Sequence, residues 1–216
     1  MTDKRSSMKI YTSTGTIKTI EECNRRGIGL MMVADWRDPD RWPYFAVDNG
    51  CYSAYSRGVE WDPKPFFRHL ERCLDGGYLP DFIVLPDKVA SKDSLEFSGK
   101  WHPVLTTRYP AFPIYLPVQD GMELEDVERF YSTHMIDGIF IGGSMAWKLE
   151  TMKTWATWAH DHGLKCHVGR IGPVRRMMMA ELAGADSIDS TTWVQRRGAL
   201  SRYMDAFEQQ TTLNHF

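Results

Sequence analysis

The chain has 216 residues and a formal net charge of −2 at pH 7, with 43% hydrophobic and 25% charged residues. This is the composition of an ordinary globular protein, and it provides no overall basic field that would by itself indicate nucleic-acid binding. The chain contains no apolar run of about 18 residues, so the sequence predicts no membrane span. The first ten residues also lack the apolar core of a secretory signal. The four cysteines form no C-x-x-C pair, which argues against a zinc site or a disulfide framework and predicts a cytoplasmic location.

Short apolar segments recur along the whole chain and predict eight strands. They cover residues 9–13, 29–34, 44–47, 81–86, 113–118, 138–143, 164–169 and 186–190. Most of these segments are apolar on both faces, as the strands of a buried parallel sheet are.

Helical patterns lie between many of these strands, over residues 65–77, 123–134, 146–163 and 173–185. Pro173 stands at a favourable first helical position. Alternating strands and helices predict an α/β protein, a compact (β/α)₈ TIM barrel, with a doubly wound open sheet as the alternative. Because no repeat, low-complexity tract or linker interrupts the pattern, residues 1–216 are expected to form a single domain.

Polar or glycine residues follow most of the predicted strands, where the C-terminal ends of barrel strands would meet at one rim. They are Asp48, Asp87, Gln119, Gly142 with Gly143, Gly169 with Arg170, and Asp189. A single aspartate after a strand is usually a turn former or a helix cap, but a whole set in one register indicates a site. Two carboxylates can share a displacement at a sugar carbon, one as nucleophile and one as acid and base.

Four segments of the chain occur in the order in which a known family carries similar motifs. They are DNGCYS (48–53), PVQDG (117–121), FIGGSMAWK (140–148) and HVGRIGPVRRMMMAELAGADSIDS (167–190). They resemble, in turn, the D-S-G-G-F/Y-Q, V-Q-G-G, strand–Gly-Gly and G-V-G-T-P…G-x-D-x-F-D-C segments of the tRNA-guanine transglycosylases. The resemblance extends from about residue 48 to residue 190.

The resemblance implies a role for each matching residue. Asp189 would be the nucleophile that attacks C1′, expels guanine and forms a covalent intermediate, and Asp48 would be the acid and base. A 7-deazaguanine, such as 7-cyano-7-deazaguanine, would then enter by the reverse displacement, with no cofactor. The positions that match the family's base-binding residues are Asp87, Gln119, Gly142 and Gly143, with Tyr52 and Val168 on the two faces of the ring.

The sequence departs from the family's pattern at several points, and the segment TTWVQRR (191–197) stands in place of the family's P-T-R. The cysteine-and-histidine zinc motif is absent, so no metal is expected, and Ser190 stands where the family has a cysteine after the nucleophile. In these features the chain is more similar to the compact phage and bacterial relatives that insert 7-deazaguanine bases into DNA. DNA is therefore the expected substrate, with tRNA as the alternative, and the family resemblance also implies a homodimer.

Arginines near the proposed site are candidates for phosphate contacts, namely Arg170, Arg196 and Arg197, although a solvated helix face explains such a cluster equally well. Asp186 is expected to have a structural role. Lys148 is expected on a helix surface, with contact to a phosphate or a base substituent as the alternative. His167 is assigned either to the rim or to a buried hydrogen-bonded position.

A base-excising hydrolase and a non-catalytic subunit that binds nucleic acid or deazaguanine remain as alternative functions.

Overall fold

The structure is a computed structural model, which describes residues 8–13, 16–33, 35–195 and 198–213, without the side chains of 212 and 213. Within these residues eight strands are present, and each lies inside or overlaps a predicted segment. They are β1 (Lys9–Thr12), β2 (Gly29–Met32), β3 (Phe45–Val47), β4 (Ile83–Val84), β5 (Ile114–Val118), β6 (Gly138–Ile141), β7 (Lys165–Val168) and β8 (Ser187–Asp189). All eight predicted strands are thereby confirmed.

The strands form a closed parallel barrel in chain order. Each strand pairs with the next, and β8 returns to pair with β1, with Ile10 opposite Ile188 and Tyr11 opposite Asp189. The (β/α)₈ barrel is thus confirmed, and the open doubly wound sheet is excluded because an open sheet would leave β1 and β8 unpaired.

Helices pack around the barrel. In the described residues they are α1 (Ile17–Arg25), α2 (Cys51–Ser56), α3 (Pro63–Gly76), α4 (Ser94–Arg108), α5 (Leu124–Tyr131), α6 (Met145–Asp161), α7 (Val174–Ala183) and α8 (Ala199–Leu213). The four predicted helices correspond to α3, α5, α6 and α7. The structure adds α1, α2, α4 and α8, and in the described part of the β2–β3 connection it has a short 3₁₀ helix, Pro39–Arg41.

The apolar interior has two layers because successive side chains of a strand point to opposite faces. Inside the barrel, aromatic rings fill the lumen, with Phe82 stacked on Tyr115 at 4.1 Å between ring centroids. Further along the lumen, His167 stacks on Phe140 at 4.7 Å. The larger layer lies between the strands and the surrounding helices. Among the described residues, no helix combines the length and apolarity needed to cross a bilayer.

Asp186 lies at the N-terminal end of β8, opposite to the end that carries Asp189. Its carboxylate accepts hydrogen bonds from the Cys166 amide at 2.8 Å, Lys165 Nζ at 2.9 Å and His160 Nε2 at 2.9 Å. The predicted structural role of Asp186 is therefore confirmed, because these bonds tie β8 to β7 and to the end of α6.

A close approach between β2 and the segment before β3 requires glycine at position 29. A Cβ on Gly29 would lie 2.2 Å from the ring of Tyr44 and 2.8 Å from its carbonyl oxygen. The ring cannot easily withdraw, because the Tyr44 hydroxyl donates to the Gly27 carbonyl oxygen at 2.7 Å and also lies 3.0 Å from the Ile10 carbonyl oxygen.

We expect Gly29→Ala to lower the free energy of unfolding by about 1–3 kcal/mol, because the methyl group overpacks this contact. Urea titration followed by circular dichroism measures the change. Gly99→Ala in α4 is the matched control, since a Cβ there meets nothing closer than 3.6 Å. The control should be neutral or stabilising by up to about 1 kcal/mol, and equal destabilisation of both variants would contradict this explanation.

Candidate functional site

A cavity of about 470 Å³ opens at the C-terminal ends of the barrel strands. Its volume lies in the range of small-molecule sites, roughly 300–1,000 Å³. Of the predicted site residues, the lining includes Asp48, Tyr52, Asp87, Gln119, Gly142, Gly143, Arg170 and Asp189. Apolar side chains complete it, among them Met31, Val33, Val84, Pro117 and Phe140. Among the predicted site residues, the fold thus brings together Asp48 and Asp189, which are 141 positions apart.

Asp189 is held through one of its two carboxylate oxygens. Oδ1 accepts a hydrogen bond from the Arg170 amide at 3.0 Å and lies 3.1 Å from His167 Nε2. The main-chain carbonyl of Asp189 accepts from the Ile171 amide at 2.7 Å. No hydrogen bond between described residues reaches Oδ2, so this oxygen is available to a ligand in the cavity.

His167 supports Asp189 from inside the barrel. Its side chain is fully buried, and Nδ1 lies 2.8 Å from Ser187 Oγ. Burial lowers the pKa of His167, so the imidazole is neutral at pH 7. A neutral ring with its proton on Nε2 donates to Asp189 and accepts from the Ser187 hydroxyl, which satisfies both nitrogens.

Asp48 and Asp87 are carboxyl groups whose environment favours the protonated form. Burial raises the pKa of Asp48 to about 7. The hydrogen bond from the Gly50 amide acts against this rise, and the negative charge of Asp189 adds to it. Burial likewise raises the pKa of Asp87 to about 6, although Asn49 Nδ2 donates to its Oδ1 at 2.9 Å. Near neutral pH, the cavity therefore holds carboxyl groups that can donate as well as accept a proton.

Arg170 and Tyr52 meet across the mouth of the cavity. The Arg170 guanidinium lies 3.7 Å from the centre of the Tyr52 ring and donates through Nη2 to the Gly143 carbonyl oxygen at 2.5 Å. Arg170 follows β7 and Tyr52 follows β3, which are opposite strands in an eight-stranded ring. This cation–π contact therefore spans the opening, and a planar ligand that stacked on Tyr52 from this side would take the place of the guanidinium.

Gln119 lines the cavity, but its carboxamide is already hydrogen-bonded to other groups of the protein. Nε2 donates to the Lys88 carbonyl and to Ser94 Oγ, both at 2.8 Å, and Oε1 accepts from the Ala90 amide at 2.8 Å. Gln119 thus fixes the loop between β4 and α4, which also carries Asp87.

The glycine pair after β6 allows a close approach of the main chain. The Gly142 amide donates to the Val118 carbonyl at 2.8 Å, and Gly143 has a φ of +68°. A Cβ on Gly143 would lie 2.4 Å from Asp120 Oδ2. Asp120 in turn accepts from the amide of Ser144, the N-cap of α6.

One predicted site residue, Val168, is not brought to the cavity, and two others lie outside the described residues. Val168 is fully buried in the layer between the strands and the helices, because its neighbour His167 points into the barrel and side chains alternate. It does not line the cavity. Arg196 and Arg197 lie outside the described residues, so Arg170 is the candidate phosphate contact that the structure places.

Several residues at the site were not assigned a role from the sequence. Asn49 and Phe140 line the cavity. Lys148 is completely buried, so its expected position on a helix surface is wrong. The sequence of α6 could not reveal this burial, because its apolar residues are not confined to one face of the helix.

No family model matches the chain, and no curated protein matches it in sequence. Among the described residues, no group of three or more histidine, cysteine, aspartate or glutamate side chains is arranged to hold a metal ion.

The raised pKa of Asp48 predicts a specific dependence of stability on pH. Between about pH 4 and pH 7 the folded protein keeps a proton that the unfolded chain releases, so stability falls as the pH rises through this range. Asp48→Asn removes this penalty. Relative to the native chain, the variant should gain about 1–3 kcal/mol at pH 8 and much less at pH 4.

Thermal unfolding at both pH values measures the difference. Asp75→Asn, at an exposed position in α3, is the matched control and should show no such pH-dependent gain. A gain for Asp48→Asn that is the same at pH 4 and pH 8 would argue against a protonated Asp48.

Proposed function

We propose that this protein exchanges guanine in DNA for a 7-deazaguanine base through a covalent aspartyl–glycosyl intermediate. The observation that carries the proposal is the arrangement of three carboxyl groups in one cavity with distinct environments. Asp189 is fixed through Oδ1 and has Oδ2 free, whereas burial raises the pKa of Asp48 and Asp87. Carboxyl groups in different protonation states can divide the roles of nucleophile and acid.

In the first half of the proposed reaction, Asp189 Oδ2 attacks C1′ of the target nucleotide. The bond from C1′ to the base nitrogen breaks, and protonated Asp48 gives its proton to the departing guanine. A pKa of about 7 suits this task, because the acid is substantially protonated at neutral pH and still transfers its proton readily.

The second half reverses these steps with a different base. Asp48, now a carboxylate, takes the proton from the ring nitrogen of the incoming 7-deazaguanine as that nitrogen attacks C1′. The ester bond to Asp189 breaks and its carboxylate is restored. Two displacements at C1′ retain the configuration of the sugar, as in retaining glycosidases.

The walls of the cavity suit a flat heterocycle. Tyr52 and Phe140 provide aromatic surface, and Asp87 can either donate to or accept from the edge of the base. Entry of the base requires Arg170 to leave the face of Tyr52, and a released guanidinium at the mouth can then bind a phosphate of the strand.

A base in duplex DNA must also leave the stack before its C1′ can be reached. The choice of DNA over tRNA rests on the sequence resemblance and not on the shape of the cavity.

An exchange assay tests the proposal. Guanine-labelled DNA, and labelled tRNA in parallel, are incubated with the protein and unlabelled 7-cyano-7-deazaguanine. We expect guanine to be released from DNA with the strand intact and the new base incorporated. Asp189→Asn should reduce the release at least about 10⁴-fold, because it removes the nucleophile.

Asp186→Asn is the matched control, since it changes the aspartate that directly precedes β8, and this side chain supports β7 and not the cavity. It should melt at a lower temperature but exchange bases normally below that temperature. Release from tRNA alone would overturn DNA as substrate, and abasic sites without incorporation would indicate a hydrolase. Binding of DNA without any release would point to a non-catalytic subunit.

A further inference from the structure

Lys148 is a fully buried lysine in the first turn of α6, a position that the proposed reaction does not use. Its Nζ donates to the Gly169 carbonyl oxygen at 2.5 Å, and no other hydrogen bond between described residues reaches it. Burying an ammonium group is costly unless the protein compensates it. No carboxylate in the described residues lies within ion-pair distance of this nitrogen, so an explanation in terms of stability alone is weak.

The carbonyl that Lys148 contacts belongs to the peptide group that holds Asp189. The Gly169 C=O and the Arg170 N–H are the two ends of one planar peptide unit. Lys148 Nζ binds the oxygen end at 2.5 Å, and the nitrogen end donates to Asp189 Oδ1 at 3.0 Å. The three groups therefore form one continuous chain of hydrogen bonds from the ammonium to the carboxylate.

The backbone around this peptide is built to keep it in place. Arg170 has a φ of +60°, which is unusual for a residue with a side chain. The Gly169 amide donates to the Ile141 carbonyl at 3.0 Å, and the Ile171 amide donates to the Asp189 carbonyl at 2.7 Å. A Cβ on Gly169 would lie 2.7 Å from the Phe140 ring, so the chain can pass here only as glycine.

We propose that Lys148 is a positioning residue for the nucleophile, acting on Asp189 through the Gly169–Arg170 peptide. A positive charge at the carbonyl oxygen polarises the peptide and strengthens its N–H as a donor, since linked hydrogen bonds reinforce one another. Asp189 Oδ1 is thereby held, and Oδ2 stays directed to the substrate. This inference rests on the proposed function, because it assigns Asp189 as the nucleophile.

The groups around Lys148 act on its ammonium in opposite directions. Burial, with the nearby charge of Arg170, lowers the pKa of Lys148 to about 7, and the charges of Asp189 and Asp120 act in the opposite direction. Arg176 on α7 also lowers it. Burial outweighs these carboxylates, so the ammonium that polarises the peptide is mainly present below about pH 7.

Two variants separate the charge from the hydrogen bond. Lys148→Met removes both, and Lys148→Gln removes the charge while keeping a donor for the Gly169 carbonyl. We expect each to lower kcat for base exchange at least about tenfold, as loss of a preorganised donor does, with KM for the 7-deazaguanine unchanged. The melting temperature of Lys148→Met should be equal to or above that of the native protein, because a buried charge is removed.

Lys153→Met is the matched control, since Lys153 is exposed on the same helix. It should leave kcat, KM and melting temperature unchanged. If Lys148→Met keeps its native kcat, or if it loses activity only in proportion to a fall in melting temperature, the positioning role is overturned.

A second readout separates this inference from the proposed function. The amide proton of Arg170, observed by NMR in the full chain, should move upfield in Lys148→Met and Lys148→Gln but not in Lys153→Met, because the hydrogen bond to Asp189 weakens. If the native protein exchanges no base yet this shift occurs, the proposed function fails while the peptide link stands. An Arg170 amide that is unaffected in both Lys148 variants would overturn the link itself.

Discussion

Closure of the barrel by β8 on β1 is the constraint on which the site depends. The pairing sets Tyr11 opposite Asp189, and the Ser190 amide donates to the Tyr11 carbonyl at 3.1 Å. Without this pairing, the last strand would have one free edge and Asp189 would not share a cavity with Asp48, which follows β3 far away along the chain. The carboxyl groups share a cavity because the eighth strand completes the ring.

Alternation of side chains along the strands then decides which residues reach the cavity. Ala46 and Tyr115 point into the lumen, and the positions two and four residues further on are Asp48 and Gln119. The same step on β8 leads from Ser187 to Asp189. The aromatic rings below, with neutral His167 among them, form an apolar floor that excludes water. Burial at this end of the barrel is the main cause of the raised pKa values of Asp48 and Asp87.

Much of the fold was predictable from the sequence, because each strand is a short apolar run. Helix α4 was missed, since it contains Pro103 and Gly99, which normally break a helix.

The cavity residues that directly follow strands were also predictable. Val168 was misplaced for a physical reason: a strand that is apolar on both faces does not reveal which face is inward. The burial of Lys148 and the orientation of the peptide it contacts depend on tertiary packing, and no local pattern encodes them.

The central claim is that Asp189 forms a covalent bond to the sugar of the target nucleotide. The most direct test is to incubate the protein with a guanine-containing DNA oligonucleotide without an incoming base, denature it rapidly, and map the adduct by mass spectrometry. If Asp189 is the nucleophile, we expect a peptide that carries the oligonucleotide sugar on Asp189, with one guanine released for each adduct. Guanine release with no adduct, or an adduct on another residue, would contradict it.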